Sequence, residues 1–278
     1  MNIDRSRFCI NRKIAPALSI EAFFQVVQKC GLKKVEIRND MPSGKILDSL
    51  NAEQFNRLAE KYHIEVVTIN ALYPFNLVAA REAVTQKAIE MLETAQQINA
   101  EAVIMCPFNE PDMRNEQQRQ SETLDSIDYF STLFAKYGIK GLIEPLGFPV
   151  SSLRSFNLAG KLIKQANSPF KLTLDTFHHH LAGLPLENYA ATVDINQIGL
   201  VHLSGVEDNR PTAQLTDEER IMLSPADVLK SKEQVIELEK LGYQGIYSFE
   251  PFASGLNSWD AAAVEKAINA SIDYLCSE

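Results

Sequence analysis

The sequence has few cysteines, no Cys-x-x-Cys pair and no long apolar run. The four cysteines, Cys9, Cys30, Cys106 and Cys276, are widely spaced, which favours reduced thiols over a disulfide framework or a zinc knuckle. No run approaches the roughly 18 consecutive apolar residues of a membrane span, and the polar first residues lack the apolar region of a signal peptide. These absences predict a cytoplasmic protein that has no membrane partner.

The sequence also has fewer basic than acidic residues. The chain has 27 Lys and Arg against 36 Asp and Glu, which gives a net charge of −9. Binding to nucleic-acid phosphates requires a basic surface, so this charge argues against a nucleic-acid partner. The remaining composition, with 45% hydrophobic and 23% charged residues, is that of a globular protein able to bury a core without disulfides. A small-molecule substrate and a homo-oligomer are both compatible with it.

Short β-rich runs alternate eight times with helical stretches. The runs span 7–11, 33–38, 64–70, 101–106, 140–146, 170–175, 197–203 and 245–251. Eight such units predict a (β/α)8 TIM barrel, an α/β fold whose usual length is about 250 residues. The alternative, a doubly wound open sheet, usually carries a glycine-rich phosphate turn after its first strand, and residues 11–16 contain no glycine. No composition break divides the chain, so we predict a single TIM-barrel domain over 1–278.

Two of the helices show clear boundary signals. In the first unit Ser19 is predicted to cap a helix that Gly31 terminates. In the last unit a helix is predicted over residues 259–276, beginning after Ser258. Both stretches carry apolar residues at the spacing of a helix that packs one face on a core.

A TIM barrel carries its chemistry at the carboxyl ends of its strands. Because successive strand residues face opposite sides, the parity of each strand shows which side chains point into the barrel mouth. In the second strand Val35 and Ile37 suit the helix-facing side, which turns their neighbours inward. The same reasoning gives the inward-facing polar residues Glu36, Arg38, Asn70, Glu144, Thr173, Asp175, His202, Ser248 and Glu250.

The last four strands end in Glu144, Asp175, His202 and Glu250. Three carboxylates and one imidazole on one face are typical ligands of a divalent cation, and without a cation the carboxylates would repel one another. A lone strand-end carboxylate is more often a helix cap or an ion-pair partner, but four consecutive strands of the same parity favour ligation. We therefore predict one divalent metal ion (Mn, Mg, Co or Zn) and no nucleotide cofactor.

Three further polar residues are predicted to contact a substrate: His178, Arg38 and Asn70. His178 opens a run of three histidines, of which His179 and His180 are expected to be loop residues or to pack in an outer shell. Arg38 has an alternative role, because it shares the inward face with Glu36 and the two could form a structural ion pair. The aromatic segment 71–76 is interpreted as a lid over the mouth, with packing against the first helix as the alternative.

Seven short motifs carry a family resemblance. They are VEIR at 35–38, INAL at 69–72, IEPLGFP at 143–149, LDTFHHH at 174–180, VHLSGVED at 201–208, LTDEER at 215–220 and FEPF at 249–252. These motifs resemble those of the xylose-isomerase-like TIM-barrel family of sugar isomerases and epimerases, and within it the inosose (2-keto-myo-inositol) isomerases of inositol catabolism. The resemblance implies that the four strand-end residues hold the metal and that His178 touches the substrate. The stretch 220–225 lacks the Trp-Pro-Gly-type turn of relatives, so the loop after the seventh strand is expected to differ.

The chemistry of such a site fits an isomerase. Isomerising an α-hydroxyketone requires removal of a proton next to a carbonyl, and the resulting enediolate carries charge on oxygen. A divalent metal stabilises this charge, while one carboxylate removes the proton and a second group returns it to the neighbouring carbon. Glu144 and Glu250, three strands apart, are predicted to be this catalytic pair. We expect a metal-dependent isomerase of a small polyol ketone, most similar to the inosose isomerases.

Four alternative functions stay open. A ketose 3-epimerase uses the same site, and a dehydratase of the same family would be identified by loss of water from its product. A DNA-repair endonuclease shares the barrel but needs further ligands for three zinc ions, and five histidines with a net charge of −9 argue against it. A metal-bearing sugar-binding regulator is the alternative that is not an enzyme.

Overall fold

Eight parallel strands close into one barrel in the computed structural model of the chain, which describes residues 3–184, 186 and 189–277. The strands pair in chain order, and the last pairs with the first. They are β1 (Phe8–Asn11), β2 (Lys34–Arg38), β3 (Glu65–Leu72), β4 (Ala102–Met105), β5 (Lys140–Ile143), β6 (Lys171–Asp175), β7 (Ile198–Leu203) and β8 (Tyr247–Phe249). The predicted single-domain (β/α)8 barrel is confirmed.

Helices follow the strands and pack on the outside of the barrel. They are α1 (Ile20–Lys29), α2 (Ala52–Tyr62), α3 (Arg81–Gln97), α4 (Glu116–Tyr137), α5 (Phe156–Gln165), α6 (Thr176–Leu181), α7 (Tyr189–Thr192), α8 (Ser231–Lys240) and α9 (Ala261–Cys276). Short 3-10 turns occupy several of the connecting loops. No helix in the described part of the chain combines the length and the apolar character that crossing a bilayer requires.

Capping residues explain where the first and last helices begin. The Ser19 hydroxyl accepts a backbone hydrogen bond of 3.2 Å at the start of α1, as predicted. Gly31, with φ of +70°, follows the end of this helix in the left-handed conformation that favours glycine. The helix predicted to begin after Ser258 begins later, at Ala261, because Asp260 is the residue whose side chain caps α9.

Alternate strand residues divide between the two sides of the barrel wall. Val35 and Ile37 are fully buried in the main core between the barrel and the helices. A smaller apolar cluster lies inside the barrel and consists of Cys9, Val67, Ala102, Ile104, Leu142 and Leu200. Polar side chains occupy the carboxyl end, where the strand register pairs Asp175 with His202 and His202 with Ser248. The polar residues of neighbouring strands therefore meet at one level of the barrel.

Candidate metal centre

Four predicted residues meet at the carboxyl ends of β5 to β8. Glu144 and Glu250 each lie one residue beyond a strand end, Asp175 is the last residue of β6, and His202 is the penultimate residue of β7. One possible ligand atom from each lies within 4.8 Å of the others, and all four residues are buried. The parity of the strands thus predicted which residues meet, while their role as metal ligands stays a prediction.

His202 presents its two ring nitrogens to opposite sides of this centre. Its Nδ1 lies 3.0 Å from Glu144 Oε1, 3.1 Å from Glu250 Oε2 and 4.0 Å from Asp175 Oδ2. Its Nε2 lies 3.1 Å from both carboxylate oxygens of Glu36. Burial alone would lower the pKa of His202, but the surrounding carboxylates, Glu250 first among them, raise it well above its ordinary value.

Two buried arginines pair with the carboxylates. Arg38 Nη1 donates to Glu250 Oε1 at 2.6 Å, and Arg220 Nη2 lies 3.0 Å from Glu250 Oε2 and 2.5 Å from Asp175 Oδ2. Burial alone would raise the pKa of Glu250, but His202 and the two arginines lower it well below its ordinary value. Asp175 shows the opposite balance, because burial and the neighbouring carboxylates outweigh its ion pair and raise its pKa to about 7.

A cavity of about 310 Å³ opens above these side chains. Its wall includes three aromatic residues, Tyr73, Phe148 and Phe252, together with both arginines. His178 also lines the cavity, is only 4% exposed, and has a buried Nδ1 with no hydrogen-bond partner among the described residues. Burial lowers the pKa of His178 well below its ordinary value, so its ring is neutral and can donate or accept a hydrogen bond.

Arg38 and Asn70 also line the cavity but already have protein partners. Asn70 Nδ2 donates to Glu36 Oε2 at 2.9 Å, which leaves the amide oxygen of Asn70 for a ligand. Arg38 makes two hydrogen bonds of 2.6 and 2.9 Å to Asp40 in addition to its pair within the centre. The alternative in which Arg38 pairs with Glu36 is wrong, because its guanidinium turns to other carboxylates. Substrate contact by Arg38 and Asn70 stays a prediction.

The aromatic segment 71–76 contributes to both the cavity wall and the main core. Tyr73 lines the cavity, whereas Phe75 is 1% exposed and belongs to the main core. Packing also accounts for His179, whose ring lies 4.8 Å from that of Tyr189 between centroids. Ala71 and Tyr73 thus lie at the cavity wall, and the lid interpretation of the segment stays a prediction.

A family model described as Xylose isomerase-like TIM barrel matches residues 24–277. The chain belongs to this family. A xylose isomerase domain-containing protein from Salmonella typhimurium LT2, known from its crystal structure, is 53% identical, with a TM-score of 0.95 over 100% of both chains. Inosose isomerase from Halalkalibacterium halodurans is 26% identical over 230 residues, which cover 81% of this chain and 80% of the relative. The IOLI protein, crystallised with a zinc atom, is 21% identical with a TM-score of 0.88 over 98% of each chain, which shows a shared fold.

The four clustered residues fit the divalent ions bound in the xylose isomerase-like family. Carboxylate oxygens and an imidazole nitrogen are donors suited to Mn, Mg, Co and Zn. Three carboxylates within 4.8 Å of an imidazole repel one another unless a positive charge lies between them. His202 Nδ1 lies nearest to all three carboxylates, so a proton or a metal ion could occupy the position between them.

Two residues of this xylose isomerase-like barrel were not predicted as parts of the centre. Arg220 lies in the loop between β7 and α8, where no strand period shows which side chains point inward, and the motif at 215–220 was its only signal. Its carbonyl oxygen accepts two hydrogen bonds, of 2.8 and 2.9 Å, from backbone amides after β8, which anchors the loop. Glu36 was predicted to face inward, but its contact with His202 depends on closure of the barrel and not on strand parity.

Proposed function

We propose that this protein is a divalent-metal-dependent isomerase of a small polyol ketone, that its substrate is an inosose, and that it acts in inositol catabolism in the cytoplasm. The observation that carries the proposal is the meeting of His202 Nδ1 and three carboxylates beneath a cavity of about 310 Å³. The mixed polar and aromatic wall suits a polyol, which offers hydroxyl groups at its rim and C–H bonds on its faces. The 26% identity to inosose isomerase supports the choice of substrate.

The proposed metal ligands are the four clustered residues, with Nδ1 as the donor atom of His202. A bound divalent ion supplies Lewis-acid stabilisation of negative charge on the substrate oxygens. The protein side chains then have two tasks, which are to hold the polyol and to move a proton between two adjacent carbons.

Glu144 and Glu250 are the proposed proton-transfer pair, on opposite sides of the bound substrate. One carboxylate takes the proton from the carbon next to the carbonyl, the hydroxyl proton moves to the former carbonyl oxygen, and a proton returns to the former carbonyl carbon, so that ketone and hydroxyl exchange places. His202 and the two arginines lower the pKa of Glu250 well below its ordinary value, which weakens this carboxylate as a base. Within the described residues no guanidinium bonds to Glu144, whose oxygens face His202 at 3.0 Å and Cys106 at 3.6 Å. We therefore assign proton abstraction to Glu144. The return of a proton to the former carbonyl carbon is assigned to Glu250.

Substrate binding is assigned to His178, Arg38 and Asn70. The unpartnered Nδ1 of His178 supports this role most directly, because an unsatisfied buried nitrogen gains a full hydrogen bond when a hydroxyl group arrives. Arg38 supplies a guanidinium at the cavity wall, and the amide oxygen of Asn70 remains available as an acceptor.

Product analysis tests the proposed function. The metal-loaded protein is incubated with a panel of inososes and ketoses, and an Asp175→Ala variant serves as the control that lacks a ligand. The proposal expects conversion of an inosose to an isomeric inosose by the parent protein and none by the variant. A ketose epimerised at carbon 3 would instead identify an epimerase, and a dehydrated product would identify a lyase. Absence of turnover across the panel, with metal bound, would favour a sugar-binding regulator.

A further inference from the structure

Glu36 is a carboxylate with no exposed surface, and it lies beneath the candidate metal centre without belonging to the cluster. It comes from β2, whereas His202 comes from β7, and these two strands do not pair. Five side chains from β1, β3, β7 and β8 converge on its two oxygens. They are Asn11 at 3.2 Å, Thr68 at 2.5 Å, Asn70 at 2.9 Å, His202 at 3.1 Å and the hydroxyl of Ser248.

This environment fixes which nitrogen of His202 carries the hydrogen. A carboxylate accepts hydrogen bonds, so Nε2, which faces Glu36, keeps its hydrogen when a metal ion takes the place of the hydrogen on Nδ1. In a neutral imidazole the lone pair then lies on Nδ1. Nδ1 is the atom that faces the oxygens of Glu144 and Glu250, at 3.0 and 3.1 Å. A divalent ion requires this lone pair.

We propose that Glu36 is a positioning residue that holds the ring orientation and the tautomer of His202, so that Nδ1 is presented to the metal ion. Asn11, Thr68 and Ser248 in turn hold Glu36 in place. The inference rests on the metal centre of the proposed function, and it concerns metal affinity alone. Carboxylates that hydrogen-bond to a ligating histidine typically contribute about 10- to 100-fold in metal affinity.

Glu36→Gln tests this role, with Thr68→Val as the matched control. Both variants lose a hydrogen bond around the same buried carboxyl position, but only the first changes the group that faces His202. The amide of Gln can donate to Nε2, which favours the wrong tautomer with its hydrogen directed at the ligands. We expect Glu36→Gln to weaken zinc binding by about 10- to 100-fold in chelator competition. Thr68→Val loosens the hold on Glu36 but keeps its carboxylate facing His202, so it should weaken zinc binding by much less. Thermal unfolding of the metal-free proteins measures the structural cost of each change separately.

The tautomer is observed directly by NMR of zinc-loaded protein with 15N-labelled histidine. The parent protein should show a hydrogen on His202 Nε2, with a proton shift typical of a bond to a carboxylate, and Glu36→Gln should lose that signal. Parental zinc affinity in folded Glu36→Gln would overturn the proposal, as would weakened affinity with the signal unchanged. Equal losses of affinity in both variants would reduce Glu36 to a structural role.

A second variant covers the case in which Glu36→Gln does not fold. Glu36→Asp keeps the charge but withdraws the carboxylate from the imidazole by one methylene group. It should weaken zinc binding in the same direction, and parental affinity would contradict the positioning role. If the parent protein itself binds no divalent metal, the metal centre of the proposed function fails first, and this inference fails with it.

Discussion

His178 and His179 are adjacent on α6, and both have buried ring nitrogens with no hydrogen-bond partner among the described residues. Of the two, His178 lines the cavity above the candidate centre, whereas His179 packs on Tyr189 outside it. His178→Ala is expected to lower kcat/KM by a factor that corresponds to about 1–3 kcal/mol of transition-state stabilisation, the cost of a lost buried hydrogen bond. Its metal content should be unchanged. His179→Ala is the control and should lower the melting temperature while leaving kcat/KM near the parental value. Equal losses of kcat/KM in both variants would contradict the assignment of His178.

Glu144 and Glu250 are expected to be needed for turnover as well as for metal binding. Glu144→Gln and Glu250→Gln keep side-chain size and an oxygen donor but remove the basic carboxylate. Each should retain some metal yet lose at least about 100-fold in kcat, the contribution typical of a general acid–base residue. Activity is compared at saturating metal, so that a change in affinity does not imitate a change in chemistry. Near-normal turnover in both variants would rule out their role in proton transfer.

At the scale of one element, Asp175 both caps the start of α6 and belongs to the candidate metal centre. Asp175 Oδ1 accepts hydrogen bonds from the amides of Phe177 and His178, at 2.7 and 3.3 Å, and so caps the helix. Its Oδ2 faces Arg220 and the centre. Asn caps a helix as well as Asp does, whereas Ala does not.

Asp175→Asn and Asp175→Ala therefore separate the two roles of this side chain. Both variants should lose metal affinity, because neither keeps the carboxylate. In urea unfolding of the metal-free proteins, Asp175→Ala should be less stable than Asp175→Asn by about 0.5–2 kcal/mol, the value of an N-cap. Equal stability of the two variants would show that the cap contributes nothing here.

The elements also differ in how far the sequence predicts them. Strand residues alternate with a period of two, so the inward positions of Asp175 and His202 follow from the neighbouring apolar residues. Arg220 has no such period, because it lies in a loop and reaches the centre through backbone hydrogen bonds to the segment after β8. The partner of Glu36 was also missed, since pairing across the barrel depends on the stagger of closed strands, which single-strand patterns do not contain.

For the whole molecule, the raised pKa of His202 predicts a pH-dependent metal affinity. In the metal-free protein a proton occupies this imidazole at neutral pH, because the surrounding carboxylates, Glu250 first, raise its pKa well above the ordinary value. A metal ion must displace that proton, so apparent affinity should rise with pH by about tenfold per unit for each proton displaced. Asp175, with a pKa of about 7, adds a second competing proton below that pH.

Calorimetric titration with a divalent metal measures this coupling. Repeating the titration in buffers of different ionisation enthalpy counts the protons released, and the expected count is at least one near pH 7. Asp175→Asn should release fewer protons at acidic pH than the parent protein, since it removes one of the two competing groups. An affinity that does not change between about pH 6 and pH 8 would contradict the proposed competition.

The buried charges at the barrel mouth also bear on which ions and ligands suit the proposed site. Four buried carboxylates face two buried guanidiniums, and the carboxylates are Glu36, Glu144, Asp175 and Glu250. One doubly charged ion beside a neutral imidazole makes this group electrically neutral, whereas a monovalent ion leaves it negative and a trivalent ion makes it positive. An uncharged polyol preserves that neutrality, but a phosphorylated sugar would bring uncompensated charge into a site shielded from water, which is costly. Under the proposed function, this charge balance favours a divalent ion over ions of other valence and an uncharged polyol over a phosphorylated sugar.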